Sequence, residues 1–273
     1  MSMSIVLSAL LAAAPAAPMP CKPIAGWEEV MARKQVRWIV LGEVHGNNET
    51  PDLFADAVCL TARSRKIVVA LEQSSLDQGA IDLFISSDGG KDSKQAFSTA
   101  SMWNGAIKDG RSSEANFRLF DTLRQMRSAG QIEAVVAFVP SHFTTRPIPG
   151  DYEKGMAGIL RAAARPGTTV MALVGNVHAL RTKVAWQGGY MPMAAHLPAE
   201  ELVTLDALGD GGATWTCQGE PMVCGPRSNP PSAKACMAGV ELASDDEAAY
   251  SGVIHLGATT ASPPQQGQAA KSK

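Results

Sequence analysis

The sequence predicts an α/β fold: a central, mainly parallel sheet with helices on both faces, plus a helical or irregular insertion. Three observations carry this. Short β-rich apolar runs alternate with stretches whose apolar residues recur at helical spacing. The runs are continuously apolar, as strands covered on both faces are. The residues directly after them are ionisable, at the edge where an open parallel sheet binds its ligands. The 273 residues are 45% apolar and 18% charged, a charged fraction below the roughly 25% of typical soluble domains, which argues against a disordered main body. With 24 Lys+Arg against 26 Asp+Glu and no basic cluster to grip a phosphate backbone, nucleic acid is not expected as a partner.

Residues 1–20 read as a signal-like segment. The apolar run Ile5 to Ala14 is too short to span a bilayer, and Ala14-Pro15-Ala16 offers a small-x-small cleavage site, although no Lys or Arg precedes Lys22. The expectation is an exported protein, periplasmic or membrane-associated at the envelope. Pro18-Met19-Pro20 is a poor lipobox, so lipidation of Cys21 is not expected.

Residues 21–257 read as a single α/β domain. Val36 to Leu41 is its first strand. Thr50-Pro51-Asp52 then gives an N-cap, a first helical proline and an acidic first turn. That helix carries Leu53, Phe54, Ala57, Val58 and Thr61 on one face, and Ile67 to Leu71 forms the next strand. After a Gly/Ser/Lys-rich insertion over 86–110, Ser112 or Ser113 opens a helix that Gly130 ends, and Ala134 to Val139 is a third strand. A helix from Asp151 to about Ala164 leads to a fourth, Thr169 to Val174. Residues 209–239 form a Gly/Pro/Cys-rich excursion, Gly252 to Leu256 a last strand, and 258–273 a tail of disordered composition.

The strand ends hold the candidate chemistry. Glu43 and His45 follow the first strand, Glu72 ends the second, His142 follows the third and His178 the fourth. Parallel strands bring all five to one edge. A carboxylate and an imidazole two residues apart in a Gly-bounded turn suit an acid/base pair or shared metal ligation. Glu72, at the end of a buried strand, needs a cation, a histidine or a metal beside it. His178 is expected to begin a helix containing Arg181 and Lys183. A divalent metal ion held by His45, Glu72 and His178 is one expectation. Arg146 and Arg181 are further candidates for holding a substrate carboxylate or phosphate. His196 and His255 read as structural, and Met191, Met193 and Met222 as ordinary packing or loop residues. Trp103, in the insertion, is expected either to cover a bound apolar ligand from a lid or to pack the insertion onto the domain. Among the cysteines, Cys217 and Cys224 are the favoured disulfide pair in a stretch that also holds Cys236, and Cys59 reads as a buried thiol.

Together, Leu41-Gly42-Glu43-Val44-His45-Gly46, Ala70-Leu71-Glu72-Gln73 and Val174-Gly175-Asn176-Val177-His178-Ala179 resemble the superfamily that joins ChaN-type haem-uptake lipoproteins, erythromycin esterases and Tiki/TraB metalloproteases. The resemblance spans roughly Trp27 to Leu208. It implies an α/β domain with functional residues at Glu43, His45, Glu72 and His178, and either hydrolysis of a small-molecule or peptide substrate or binding of haem or iron. The chain departs from the esterase pattern in placing one residue, Val44, between Glu43 and His45 where that family has two. For haem, an axial ligand would come from a histidine or from Tyr152, Tyr190 or Tyr250. An envelope protein partner, with the fold kept but no turnover, is the third reading.

Overall fold

A computed structural model describes residues 19–105, 108–141, 148–231, 237–245 and 248–266. His142, Arg146, Cys236 and nearly all of the signal-like segment lie outside the described residues. In chain order the elements are α1 (Trp27–Ala32), β1 (Trp38–Glu43), α2 (Glu49–Ala62), β2 (Lys66–Ser74), α3 (Gln78–Ile85), α4 (Lys91–Ser98), α5 (Ser101–Asn104), α6 (Glu114–Ser128), β3 (Ala134–Val139), α7 (Pro149–Ala163), β4 (Thr168–Gly175), β5 (Leu202–Gln218), β6 (Val223–Ser228), β7 (Gly239–Leu242) and β8 (Gly252–Thr259).

The fold is α/β. Eight strands form one sheet in the order β3-β2-β4-β1-β5-β8-β7, with β6 paired to β5. Only the β7–β8 and β5–β6 pairings are antiparallel. Because successive side chains of a strand point to opposite faces, Ile39, Leu41, Val69 and Leu71 pack with Phe54, Val58, Leu119 and Leu123 of α2 and α6. On the other face Val40, Val68, Ala70 and Ala172 pack with Met156 and Leu160 of α7. Helices therefore cover both faces, as the continuous apolar runs require.

Several elements differ from expectation for identifiable reasons. The α2 helix starts at Glu49 after Asn48, and the Thr50 N–H is taken by the Asn47 side chain at 2.7 Å, so Asn47 does the capping expected of Thr50. Ser113 does open α6, its hydroxyl accepting from the Asn116 N–H at 3.3 Å. The helix expected after His178 is a single 3₁₀ turn, Asn176–Ala179, so Arg181 and Lys183 lie outside it. The 209–239 excursion is largely the outer half of the long β5 with its hairpin partner β6. Register shifts at Leu208/Gly209 and Gly209/Gly212 break the apolar rhythm that sequence reading follows.

Residues 258–266, expected to be disordered, cross the domain: the Ser262 N–H donates to Gly46 O at 2.9 Å, and the Glu114 N–H donates to Pro263 O at 2.9 Å. This segment is held by backbone hydrogen bonds, which its composition does not disclose. Cys217 and Cys224 are bonded as expected. Cys59 is not a free thiol: it is bonded to Cys21, with the Cα atoms 5.6 Å apart, which occupies the sulfur a lipid anchor would need.

Candidate active site

The strand order explains why residues far apart in sequence meet. β2, β4 and β1 are neighbours in the middle of the sheet, so Glu72, the Gly175–His178 turn and the Glu43–His45 loop emerge side by side at its carboxyl edge. β3 lies outside β2, which puts Val139 at the margin of this group.

Two carboxylate–imidazole pairs face each other there. His45 Nδ1–H donates to Glu43 Oε1 at 2.9 Å, and its Nε2 lies 3.3 Å from Glu72 Oε2. His178 Nδ1–H donates to Glu153 Oε1 at 2.7 Å, and its Nε2 stands 3.9 Å from Glu72 Oε1. A carboxylate on Nδ1 fixes the ring's orientation and directs Nε2 outward. Glu72 is the hub: its Oε2 also accepts from the Gly175 N–H at 2.6 Å, and its Oε1 from Arg111 Nη1 at 3.2 Å. Arg111 in turn grips Asp109, Nη2 to Oδ2 at 2.6 Å.

Backbone packing keeps this floor compact. A Cβ on Gly175 would come within 3.2 Å of His45 Nε2, 3.4 Å of Glu72 Oε2 and 3.5 Å of the His178 ring, so the bare backbone leaves room for the three side chains to converge without displacement. Gly46, at φ 96°, lies against the Trp215 carbonyl of β5, and its own carbonyl accepts from the Trp215 N–H at 2.8 Å. The His45 loop is thereby tied to the β5–β6 hairpin.

The electrostatics follow from burial among opposite charges. Burial works against the charged form of His45, but the Glu72 charge and the hydrogen bonds to Glu43 and Glu72 outweigh it and hold its pKa up to about 10. Burial alone would raise the Glu72 carboxyl; His45, His178 and Arg111 instead hold it well below the usual carboxylate range. His178 is raised above an ordinary histidine, burial being overcome by the Glu153 hydrogen bond and the Glu72 charge. Glu43 Oε2 is buried and has no protein partner.

These groups open into a cleft of about 510 Å³, lined by Glu43, Val44, His45, Asp109, Val177 and His178 on the sheet side and by Thr216, Cys217 and Met222 on the hairpin. Met222, read from the sequence as an ordinary loop residue, is thus a wall of the cleft.

Of the sequence candidates, Glu43, His45, Glu72 and His178 come together. Arg181 is on a different part of the surface, beside Thr182, Ala194 and Leu202. Sequence reasoning missed Glu153, Arg111 and Asp109. Glu153 had a signal: it shares the buried stripe of α7 with Met156, Ala157 and Leu160, where an acidic residue needs a partner. Trp103 is fully buried in an aromatic cluster with Phe97, Phe117 and Phe120, so it packs the insertion onto the domain and covers no ligand. The end of the insertion does reach the carboxyl edge, where Met102, Gly105 and Asp109 line a second cavity of about 250 Å³ beside Glu72 and Arg111.

The donor set is arranged for proton transfer. Both imidazoles give Nδ1–H to carboxylates and keep Nε2 directed at Glu72, whose oxygens accept from an amide and a guanidinium. Among the described residues, no group of three or more His, Cys, Asp or Glu side chains is arranged to hold a metal ion.

No protein-family model and no curated protein matches the chain. Solved structures do. One is an erythromycin esterase, EreC, in its open conformation, with a TM-score of 0.64 at 11% identity over 85% of this chain and 93% of that one. Another is a succinoglycan biosynthesis protein, with a TM-score of 0.57 at 10% identity over 91% and 95%. At such identities the likeness concerns the fold: this chain has an erythromycin-esterase-like α/β fold.

Proposed function

We propose that the protein is an exported hydrolase of ester or amide bonds, acting on a small-molecule or peptide substrate by general acid–base chemistry. The observation that carries this is the pair of carboxylate-oriented imidazoles, Glu43–His45 and Glu153–His178, set about one ionised carboxylate at the floor of a cleft. The unpartnered Glu43 Oε2 is the base. A buried carboxyl oxygen without a donor is costly, and a water admitted from the cleft would satisfy it while standing ready for attack. As the water oxygen bonds to the substrate carbonyl carbon, its proton passes to Glu43. His178, held as the imidazolium, gives its Nε2 proton to the leaving oxygen or nitrogen as the bond to carbon breaks. His45, locked between Glu43 and Glu72, orients the base. The Glu43 proton and the His178 vacancy then re-equilibrate with solvent. Export is supported by two disulfides, which persist in oxidising compartments.

The haem alternative has less support. Burial and the Glu72 charge push the Tyr152 phenol up to about 12, burial also raises Tyr190, and the Tyr250 hydroxyl donates to Asn176 O at 3.0 Å. All three favour the phenol over the phenolate that would ligate iron.

The test is a panel of aryl and alkyl esters. Glu43→Gln and His178→Ala are each expected to lower kcat/KM by roughly 10²–10³-fold in proteins that remain folded at the assay temperature, and a chelator titration of wild-type turnover shows whether a divalent ion takes part. Turnover that survives in both variants, or a saturable Soret shift with haemin and no turnover, defeats the reading.

A further inference from the structure

We propose that the disulfide-stapled β5–β6 hairpin is the substrate-recognition wall of this cleft, and that it selects uncharged substrates bearing a short apolar group beside the scissile bond. The proposal rests on the hydrolase reading for the chemistry that follows binding, but its binding half stands separately.

The hairpin is built to hold its shape. Six residue pairs join β5 and β6, from Ala213↔Ser228 to Gln218↔Val223, and the Cys217–Cys224 bond links the pair next to the one at the tip. Its base is fixed to the site loops through Trp215, whose N–H donates to Gly46 O and whose indole donates to Lys108 O at 3.1 Å. Such a wall needs little ordering when a ligand binds, which favours affinity.

The chemistry of the wall differs from that of the floor. Met222 on the tip is 58% exposed and Val44 across the cleft is 49% exposed, and Val177 adds a third apolar side chain. Large apolar side chains left open to water at a cleft mouth mark a binding surface. An unbranched thioether such as Met222 adapts to acyl groups of different shape. Thr216 lines the same cleft from the hairpin side.

The floor sets the sign of charge. Glu43, Glu72, Glu153 and Asp109 outnumber the Arg111 guanidinium and the two imidazoles, and each cation is already paired with a carboxylate. Among the described residues that form this floor, an anionic substrate meets no positive group that is not already paired with a carboxylate. An uncharged carbonyl compound fits the polar floor, with its apolar arm against Met222 and Val44.

The experiment pairs turnover with binding. Aryl acetate, aryl butanoate and the aryl monoester of succinic acid are compared by kcat/KM. Matching ketones, which cannot be cleaved, are titrated while the ¹³C-methyl resonances of the methionines are followed. Butanoate is expected to exceed acetate by roughly fivefold, in keeping with a half-open apolar contact, and the succinate monoester to fall at least about tenfold below butanoate, a gap that narrows as salt screens the repulsion. Met222→Ser is expected to reduce the butanoate-to-acetate ratio towards one, and Met222→Leu to keep it. The Met222 methyl resonance is expected to move with the butyl ketone. Absence of turnover with this binding preference intact would sink the hydrolase reading and sustain the wall. Turnover or binding indifferent to chain length and charge, no ketone binding at all, or a ratio unmoved in Met222→Ser would overturn the wall.

Discussion

Glu153 occupies a position where the buried stripe of an amphipathic helix ordinarily carries leucine or alanine, and it is only 2% exposed. Its two oxygens are spoken for: both receive His178 Nδ1–H, and Oε2 also accepts from the Met193 N–H at 2.7 Å. The carboxylate favours the charged imidazole, so Glu153→Gln is expected to lower the His178 pKa. If His178 is the general acid, its protonated form is then lost at lower pH, and the alkaline limb of the kcat/KM profile moves towards acid; a limb that stays in place argues against His178 as the acid. His45 yields a stability prediction of the matching sign. Its folded pKa, about 10, lies above the ordinary 6.5, so its contribution is complete below pH 6.5 and is lost as pH rises towards 10. With 19% of the side chain still exposed, this is discounted to about 2 kcal/mol. Denaturant unfolding across that window should show the decline in wild type and a flatter curve in His45→Gln; equal slopes would refute it. Glu43, His45, Glu72 and His178 were legible because each sits within a few residues of an apolar run's end. Arg111 was not, because nothing local distinguishes an arginine that reaches a buried carboxylate from one that is solvated.

At the scale of elements, legibility followed apolar rhythm. β3 was read to the residue because Ala134 to Val139 is an uninterrupted run. β5 escaped because Gly209, Gly211 and Gly212 interrupt it, although its inner half is the parallel neighbour of β1. The insertion was visible as an anomaly of composition, but its packing was decided by tertiary contacts. Phe97 of α4 and Trp103 of α5 stack among Phe84, Phe117 and Phe120, so α4 and α5 are clamped to α3 and α6. Trp103→Ala is expected to cost about 3–5 kcal/mol by opening a cavity, measurable as a fall in the denaturant midpoint. A loss below about 1 kcal/mol would mean that the cluster is not the anchor of the insertion.

For the molecule as a whole, two disulfides act at opposite levels of the fold. Cys217–Cys224 closes a hairpin whose strands are already paired by hydrogen bonds, and only seven positions separate the two sulfurs in sequence. Cys21–Cys59 spans 38 positions and ties the segment before α1 to the buried face of α2. In that region the chain is otherwise held by lone contacts such as Met19 N–H to Gln131 at 3.1 Å and Lys22 N–H to Asp56 at 2.9 Å. Chain entropy makes a cross-link worth more as the loop it closes lengthens, giving about 4 kcal/mol for the longer loop against about 2 kcal/mol for the shorter. Cys21→Ala with Cys59→Ala is therefore expected to lower the unfolding free energy about twice as much as Cys217→Ala with Cys224→Ala. Activity should respond in the opposite order, because the longer link is remote from the cleft while the hairpin forms its wall. Denaturant unfolding of the two double variants, with ester turnover measured on the same samples, checks both halves. A hairpin variant that loses stability but keeps its substrate profile would show that the staple serves the fold alone.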